Sequence, residues 1–123
     1  MKIRVYYDDT DAGGIVYHAN YLKFCERSRS ELFFERGKSP EVDGGHFVVK
    51  RLEADYKKPA KLGDLLEVKH EIIGIKNTSL TLKQNVWLEE TKLFEMISIL
   101  VFVIDGKPAK ISEKTKEFFK SIF

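Results

Sequence analysis

The sequence predicts an α+β domain in which an antiparallel sheet of about five strands wraps around one long helix. Three observations carry this. Apolar residues at a helical period occur once, early in the chain, from Tyr21 to Leu32. Four β-rich runs follow between residues 47 and 104. The connections among the last three runs, Lys76-Asn77-Thr78 and residues 89–92, are short enough for antiparallel hairpins.

Residues 2–8 alternate Ile3, Val5 and Tyr7 against Lys2, Arg4 and Tyr6, which is strand periodicity. The run stops at Asp8-Asp9-Thr10-Asp11-Ala12-Gly13-Gly14, a loop by composition. Residues 15–19 form a short turn of their own, and Asn20 is the candidate N-cap of the long helix. Tyr21, Phe24, Cys25, Ser28 and Leu32 fall on one face, with Lys23, Glu26, Arg27, Glu31 and Glu35 mostly off it. Gly37 stops the helix and Pro40 follows. Strands are then expected over 47–56, 65–75, 79–88 and 93–104. The last is apolar on both faces for most of its length, which marks a central strand, or one covered by a subunit as well as a helix. From Ser112 the tail is weakly helical, with Phe118, Phe119, Ile122 and Phe123 expected to pack on the chain's own sheet or a neighbouring subunit.

The 123 residues suggest one domain, 1–123. Area scaling gives a folded surface near ~6,800 Å² against ~20,700 Å² for the open chain, so roughly two thirds is buried without staples. The net charge of +2 carries no large basic field and argues against nucleic acid as a partner. A single cysteine, Cys25, excludes an intramolecular disulfide and a cysteine metal cluster, and fits a reduced, cytoplasmic setting. The longest apolar stretch, 96–104, falls far short of the ~20 residues that cross a bilayer. The N-terminus lacks an apolar signal core. One helix covers one sheet face, and the other face needs a partner. A long sheet around one helix, closed by dimerisation, is the hotdog arrangement in outline.

The densest polar cluster is Asp8, Asp9 and Asp11, with His18 seven residues beyond. A calcium loop fails, because from Asp9 the fifth position is Gly13 and the twelfth is Asn20. An aspartate pair for phosphotransfer belongs to a parallel α/β sheet, which hairpins exclude. The plain alternative is that acidic residues end a strand and favour a helix dipole. The longer string decides. Val5 to Leu22, containing Asp9-Thr10-Asp11-Ala12-Gly13-Gly14-Ile15-Val16-Tyr17-His18-Ala19-Asn20-Tyr21, followed by Glu26-Arg27-Ser28-Arg29, resembles the signature of the 4-hydroxybenzoyl-CoA thioesterase family. Within it the chain is most similar to the YbgC type, small acyl-CoA thioesterases encoded beside the Tol–Pal envelope system. The resemblance is specific over residues 5–32 and continues more loosely through Tyr56-Lys57-Lys58-Pro59-Ala60 and Leu62-Gly63-Asp64. Ser28 departs from the alanine that members often carry.

That resemblance implies a hotdog fold and hydrolysis of an acyl-CoA to an acid and CoA, in a homodimer or homotetramer. It makes Asp11 the catalytic carboxylate and His18 its assistant. The position of Asp11 also suits thioester chemistry. Gly13 and Gly14 let backbone approach a ligand, and N–H groups of a following helical turn can hold a developing oxyanion. Asp11 just before them can attack the carbonyl or activate a water. Tyr7, Ile15, Val16 and Tyr17 join Gly13 and Gly14 as candidates for substrate binding. Asp9 and Thr10 are expected to fix the loop, and Glu26 and Arg27 to serve an ion pair or a dimer contact. His46 and His70 read as structural or surface residues, and Cys25 as a buried small hydrophobe. Lys57, Lys58 and Lys61 are candidates for the CoA phosphates, and Thr78 and Ser79 for pantetheine or nucleotide. No metal or cofactor is expected, since an aspartate and backbone donors suffice. Acyl carrier protein is a further candidate carrier of the substrate. Two rival functions remain: a non-catalytic acyl-CoA or carrier-protein binding scaffold in envelope lipid metabolism, and a hotdog dehydratase.

Overall fold

The computed structural model describes residues 1–123. Six strands and two helices run in the order β1 (Lys2–Arg4), α1 (Asn20–Phe34), β2 (His46–Tyr56), β3 (Leu65–Ile75), β4 (Ser79–Leu88), β5 (Thr91–Ile104), β6 (Lys107–Pro108) and α2 (Glu113–Ile122). All pair antiparallel in the spatial order β1-β3-β4-β5-β2, with β6 added on β5. The strand apolar on both faces, β5, is interior, held between β4 and β2. β2, which follows α1 in sequence, is the outer edge beyond it.

Both helices lie on one sheet face, the side marked by Leu80, Leu82, Gln84 and Val86 on β4 and Phe94, Met96, Ser98, Leu100 and Phe102 on β5. Tyr21, Phe24 and Cys25 of α1 pack with Leu66, Val68, Val86, Phe94 and Met96. Phe33 at the end of α1 joins Phe119 and Ile122 of α2 over Leu80, Leu100 and Phe102. The tail therefore docks on its own sheet as a second helix, where the sequence suggested only weak helix. Ser112 caps it by accepting from Thr115 N–H, and Asp43 accepts from the Ser112 and Thr115 hydroxyls. Long-range burial stabilises a helix of this length, which is marginal alone.

Three local expectations are corrected. β1 ends at Arg4, because Asp9 Oδ2 accepts from Tyr6 N–H at 2.9 Å and turns Tyr7–Asp9 into one 3₁₀ turn. Asn20 is not a cap: it is the first helical residue, and its amide donates to Asp9 O at 2.9 Å. β6 was not expected. It follows Asp105 and Gly106, both with positive φ, the backbone of a two-residue hairpin turn. At the end of α1, Lys38 N–H bonds Phe33 O and Gly37 N–H bonds Phe34 O, with Gly37 at φ 66°. That is a Schellman stop, for which glycine is suited. No helix is long and apolar enough to cross a membrane.

Candidate active site

The Asp9–Tyr17 loop is tied down at both ends. Asp9 O accepts from Tyr17 N–H and from the Asn20 amide, and Val16 N–H bonds Ala60 O. Thr10 donates its hydroxyl to Tyr7 O. Asp9 and Thr10 therefore hold the loop, as expected. Between these anchors Asp11 turns the chain: its N–H bonds Ile15 O, and its own carbonyl accepts from Gly14 N–H. Asp11 Oδ1 accepts from Gly13 N–H at 2.8 Å. A Cβ on Gly13 would come within 3.2 Å of that oxygen, and Gly14 sits at φ 81°, so small residues suit both positions.

These bonds correct one element of the sequence reading. The N–H groups of Gly13 and Gly14 are spent on Asp11 itself, and no helical turn follows them directly. Ahead of α1 the backbone N–H groups of His18 and Ala19 have no partner, nor has that of Tyr21 in its first turn; in the loop itself those of Ala12 and Ile15 are free as well. The groups of His18, Ala19 and Tyr21, at the positive end of a 15-residue helix, are the natural seat for an oxyanion.

Asp11 and His18 open on one cleft of about 400 Å³, lined also by Ile15, Val16, Tyr21, Tyr56, Lys57, Lys58 and Pro59. The sequence names Tyr21, Tyr56 and Pro59 within its motifs but gives them no place in the site. Tyr56 donates its hydroxyl to His18 O at 2.8 Å, and the Tyr21 phenol oxygen accepts from Ala60 N–H at 3.1 Å. Tyr17 lies against the His18 ring at 4.4 Å between centroids. Burial raises the pKa of both Tyr21 and Tyr56, so both phenols stay neutral. Only a long-range signal, the register of β2 on β5, places Tyr56 here.

The remaining candidates are placed unevenly. Lys61 stands at the rim, bridged through its backbone to Ile15. Tyr7 is 82% exposed and does not line the cleft. Ser79 pairs with Val101, whereas Tyr56 pairs with Phe94, seven residues back along β5. That separation is about 23 Å at ~3.3 Å per residue, so Thr78 and Ser79 do not meet the cleft of their own chain. Glu26 and Arg27 form no ion pair within the chain. His46 is exposed. His70 faces inward with Nε2 2.9 Å from Ser28 Oγ, and burial pulls its pKa down to about 4. It is a neutral packing residue. Cys25 is fully buried, its thiol pushed up to about 12 by desolvation, and serves packing alone. No three His, Cys, Asp or Glu side chains gather as a metal site.

Comparison with known proteins bears on the fold and the family. A family model described as the thioesterase superfamily matches residues 13–95. The acyl-CoA thioesterase YbgC of Helicobacter pylori is 40% identical over 94% of this chain and 87% of its own. The acyl-CoA thioester hydrolase YbgC of Escherichia coli is 40% identical over 96% and 92%. Among solved structures, a thioesterase from Thermus thermophilus complexed with coenzyme A and zinc superposes with TM-score 0.85 at 28% identity, covering 99% of this chain and 92% of that one.

Proposed function

This chain belongs to the thioesterase superfamily, whose YbgC members it matches over nearly its whole length, and on that footing we propose that Asp11 and the head of α1 carry out its hydrolysis of acyl-CoA. The fold is the hotdog fold and the protein is a thioester hydrolase. The observation that supports the site is the joint one: a carboxylate held by Gly13 N–H shares a cleft with the free N–H groups that open a helix.

The thioester carbonyl oxygen sits at the N–H groups of His18 and Ala19. Negative charge that develops on it meets two donors and the helix dipole. Asp11, held short of the carbonyl carbon, acts as nucleophile or as general base to a water. As nucleophile it forms an acyl–carboxylate anhydride while the carbon–sulfur bond breaks, and water then opens the anhydride. As base it takes a proton from the attacking water. Each route consumes one water and gives one carboxylic acid and one CoA thiol. His18 orients the water or the carbonyl beside Asp11. Lys57 and Lys58, with Lys61 at the rim, give the cleft mouth positive charge suited to the pyrophosphate of CoA. An acyl carrier protein presenting the same pantetheine thioester fits the same cleft.

The unit is proposed to be a dimer or a dimer of dimers. β2 is an eleven-residue edge whose Val49, Leu52 and Tyr56 are 49%, 40% and 50% exposed although they point to the helix side. A bare apolar edge of that length is a pairing template. Sedimentation is expected to give at least a dimer, and a stable monomer at micromolar concentration excludes it.

Thiol release from a panel of aliphatic and aromatic acyl-CoAs tests the reaction. Stoichiometric free thiol and acid are expected. Substrate bound without thiol release would indicate a scaffold, and a new carbon–carbon double bond without thiol would indicate a dehydratase.

A further inference from the structure

Between α1 and β2, beyond the catalytic cleft and sharing no lining residue with it, lies a second cavity of about 300 Å³ whose walls hold Leu22, Leu52 and Met96 together with Lys23, Glu26, Arg29 and Ser98. A third, of about 170 Å³, shares Glu26, Arg29 and Val49 with the second; Phe33, Leu100 and Phe119 line it, with Ser30, Glu41 and His46 among its polar groups. Arg29 and Ser98 form a polar tier between the apolar walls of the two.

The groups of that tier are poorly matched to their surroundings. Arg29 takes part in none of the chain's ion pairs. Its guanidinium donates to Gln84 Oε1 at 2.8 Å, and Gln84 is itself fully buried and donates to Cys25 O. Burial is the largest influence on Arg29 and lowers its pKa, while the charge of Glu26, outside ion-pair distance, works the other way. Ser98 is fully buried, lines the second cavity, and its Oγ has no hydrogen-bond partner. In a core otherwise built from leucine and phenylalanine, such a tier costs stability.

We infer that the Arg29–Ser98 tier sets the upper length of the acyl chain that the enzyme accepts. The inference rests on cleavage at Asp11 and deepens that reading. An acyl chain leaving the carbonyl between α1 and β2 first meets Leu22, Leu52 and Met96, which favour methylenes. At the tier a longer chain would cover a guanidinium that has no carboxylate within ion-pair distance and strip away the water that still reaches it. Burying a charge unpaired costs more than burying the methylenes returns. The distance follows from register. Tyr56, which reaches His18, is opposite Phe94, and Ser98 is four residues further along β5. That is about 13 Å at ~3.3 Å per residue. A zigzag of ~1.5 Å bonds advances about 1.25 Å per carbon, so about ten carbons fit. Beyond the tier the third cavity, lined in part by Phe33, Leu100 and Phe119, offers further room.

The test is kcat/KM of the full chain on straight acyl-CoAs from butyryl to palmitoyl. Wild type is expected to hold its activity to about decanoyl-CoA and to lose at least ~10-fold by myristoyl-CoA. Arg29→Met is expected to raise the myristoyl-to-hexanoyl ratio about 10-fold, and Ser98→Ala to raise it less. The ratio is taken within one protein and is independent of the fraction folded; Ser98→Ala carries the test if Arg29→Met does not fold. Wild-type activity on palmitoyl-CoA equal to that on octanoyl-CoA overturns the length control, as does an unchanged ratio in the variants. Either result leaves hydrolysis at Asp11 standing. Absence of hydrolysis at every length overturns both.

Discussion

Asp11→Asn lowers kcat for acyl-CoA hydrolysis by about 10²–10⁴-fold, the range of a lost nucleophile or general base. The fold survives, because the asparagine Oδ1 can still accept from Gly13 N–H where the carboxylate oxygen does now. Asp11 is exposed and makes no ion pair, so no buried charge partner is orphaned by the change. The melting temperature is expected to stay within about 4 °C, under ~1 kcal/mol. Substrate still meets the N–H groups of His18 and Ala19, so KM changes less than kcat. Parallel thiol-release kinetics and thermal melts read both quantities. Full turnover in a folded Asp11→Asn protein would remove Asp11 from the mechanism.

Phe94→Ala is the substitution with the largest expected cost in stability. Phe94 is fully buried on interior strand β5, stacked on Tyr21 at 4.9 Å and edge-on to Tyr56 at 5.0 Å. Truncating a buried phenylalanine costs about 3–5 kcal/mol where the walls cannot collapse. Here one wall is the sheet and the other the first turns of α1. For a chain of this size that lowers the melting temperature by about 10–20 °C. The same ring supports the two tyrosines that wall the cleft, so KM rises as well. Phe94→Leu restores most of the stability, since it refills most of the volume. A melt shifted by less than about 4 °C in Phe94→Ala would show that the core does not depend on this contact.

The sequence makes β3 and β4 legible to their last residues, and β2 and β5 to within two. Alternation over ten or more residues leaves little freedom of register once one face is buried. β1 is shorter than its alternation suggests because one side chain, Asp9, competes for the backbone of Tyr6. α2 reads as weak because its stability comes from Phe33, Leu100 and Phe102, residues far away in sequence. β6 is different: Asp105-Gly106 is a readable hairpin signal that the sequence reading passed over. In the site, the motif loop shows Asp11 and His18 at once, because everything they need is local. The oxyanion donors are not readable by position alone. Which N–H groups remain free depends on whether Asp11 occupies those of Gly13 and Gly14 itself. Tyr21 and Tyr56 gain no place in the site from sequence because they become neighbours only through the packing of α1 on β5 and β2.

The strand order has a consequence for the chain as it is made. β2 waits for β5, its only partner within the chain, and the end of β5 is translated about 48 residues after Tyr56. At ~5–20 residues per second the ribosome needs about 2–10 s for that interval. For that long β2 has no sheet to join. α2, which covers Phe33 and Leu100, comes later still. The nascent chain therefore carries the unpartnered apolar face of α1 and an unpaired strand for seconds.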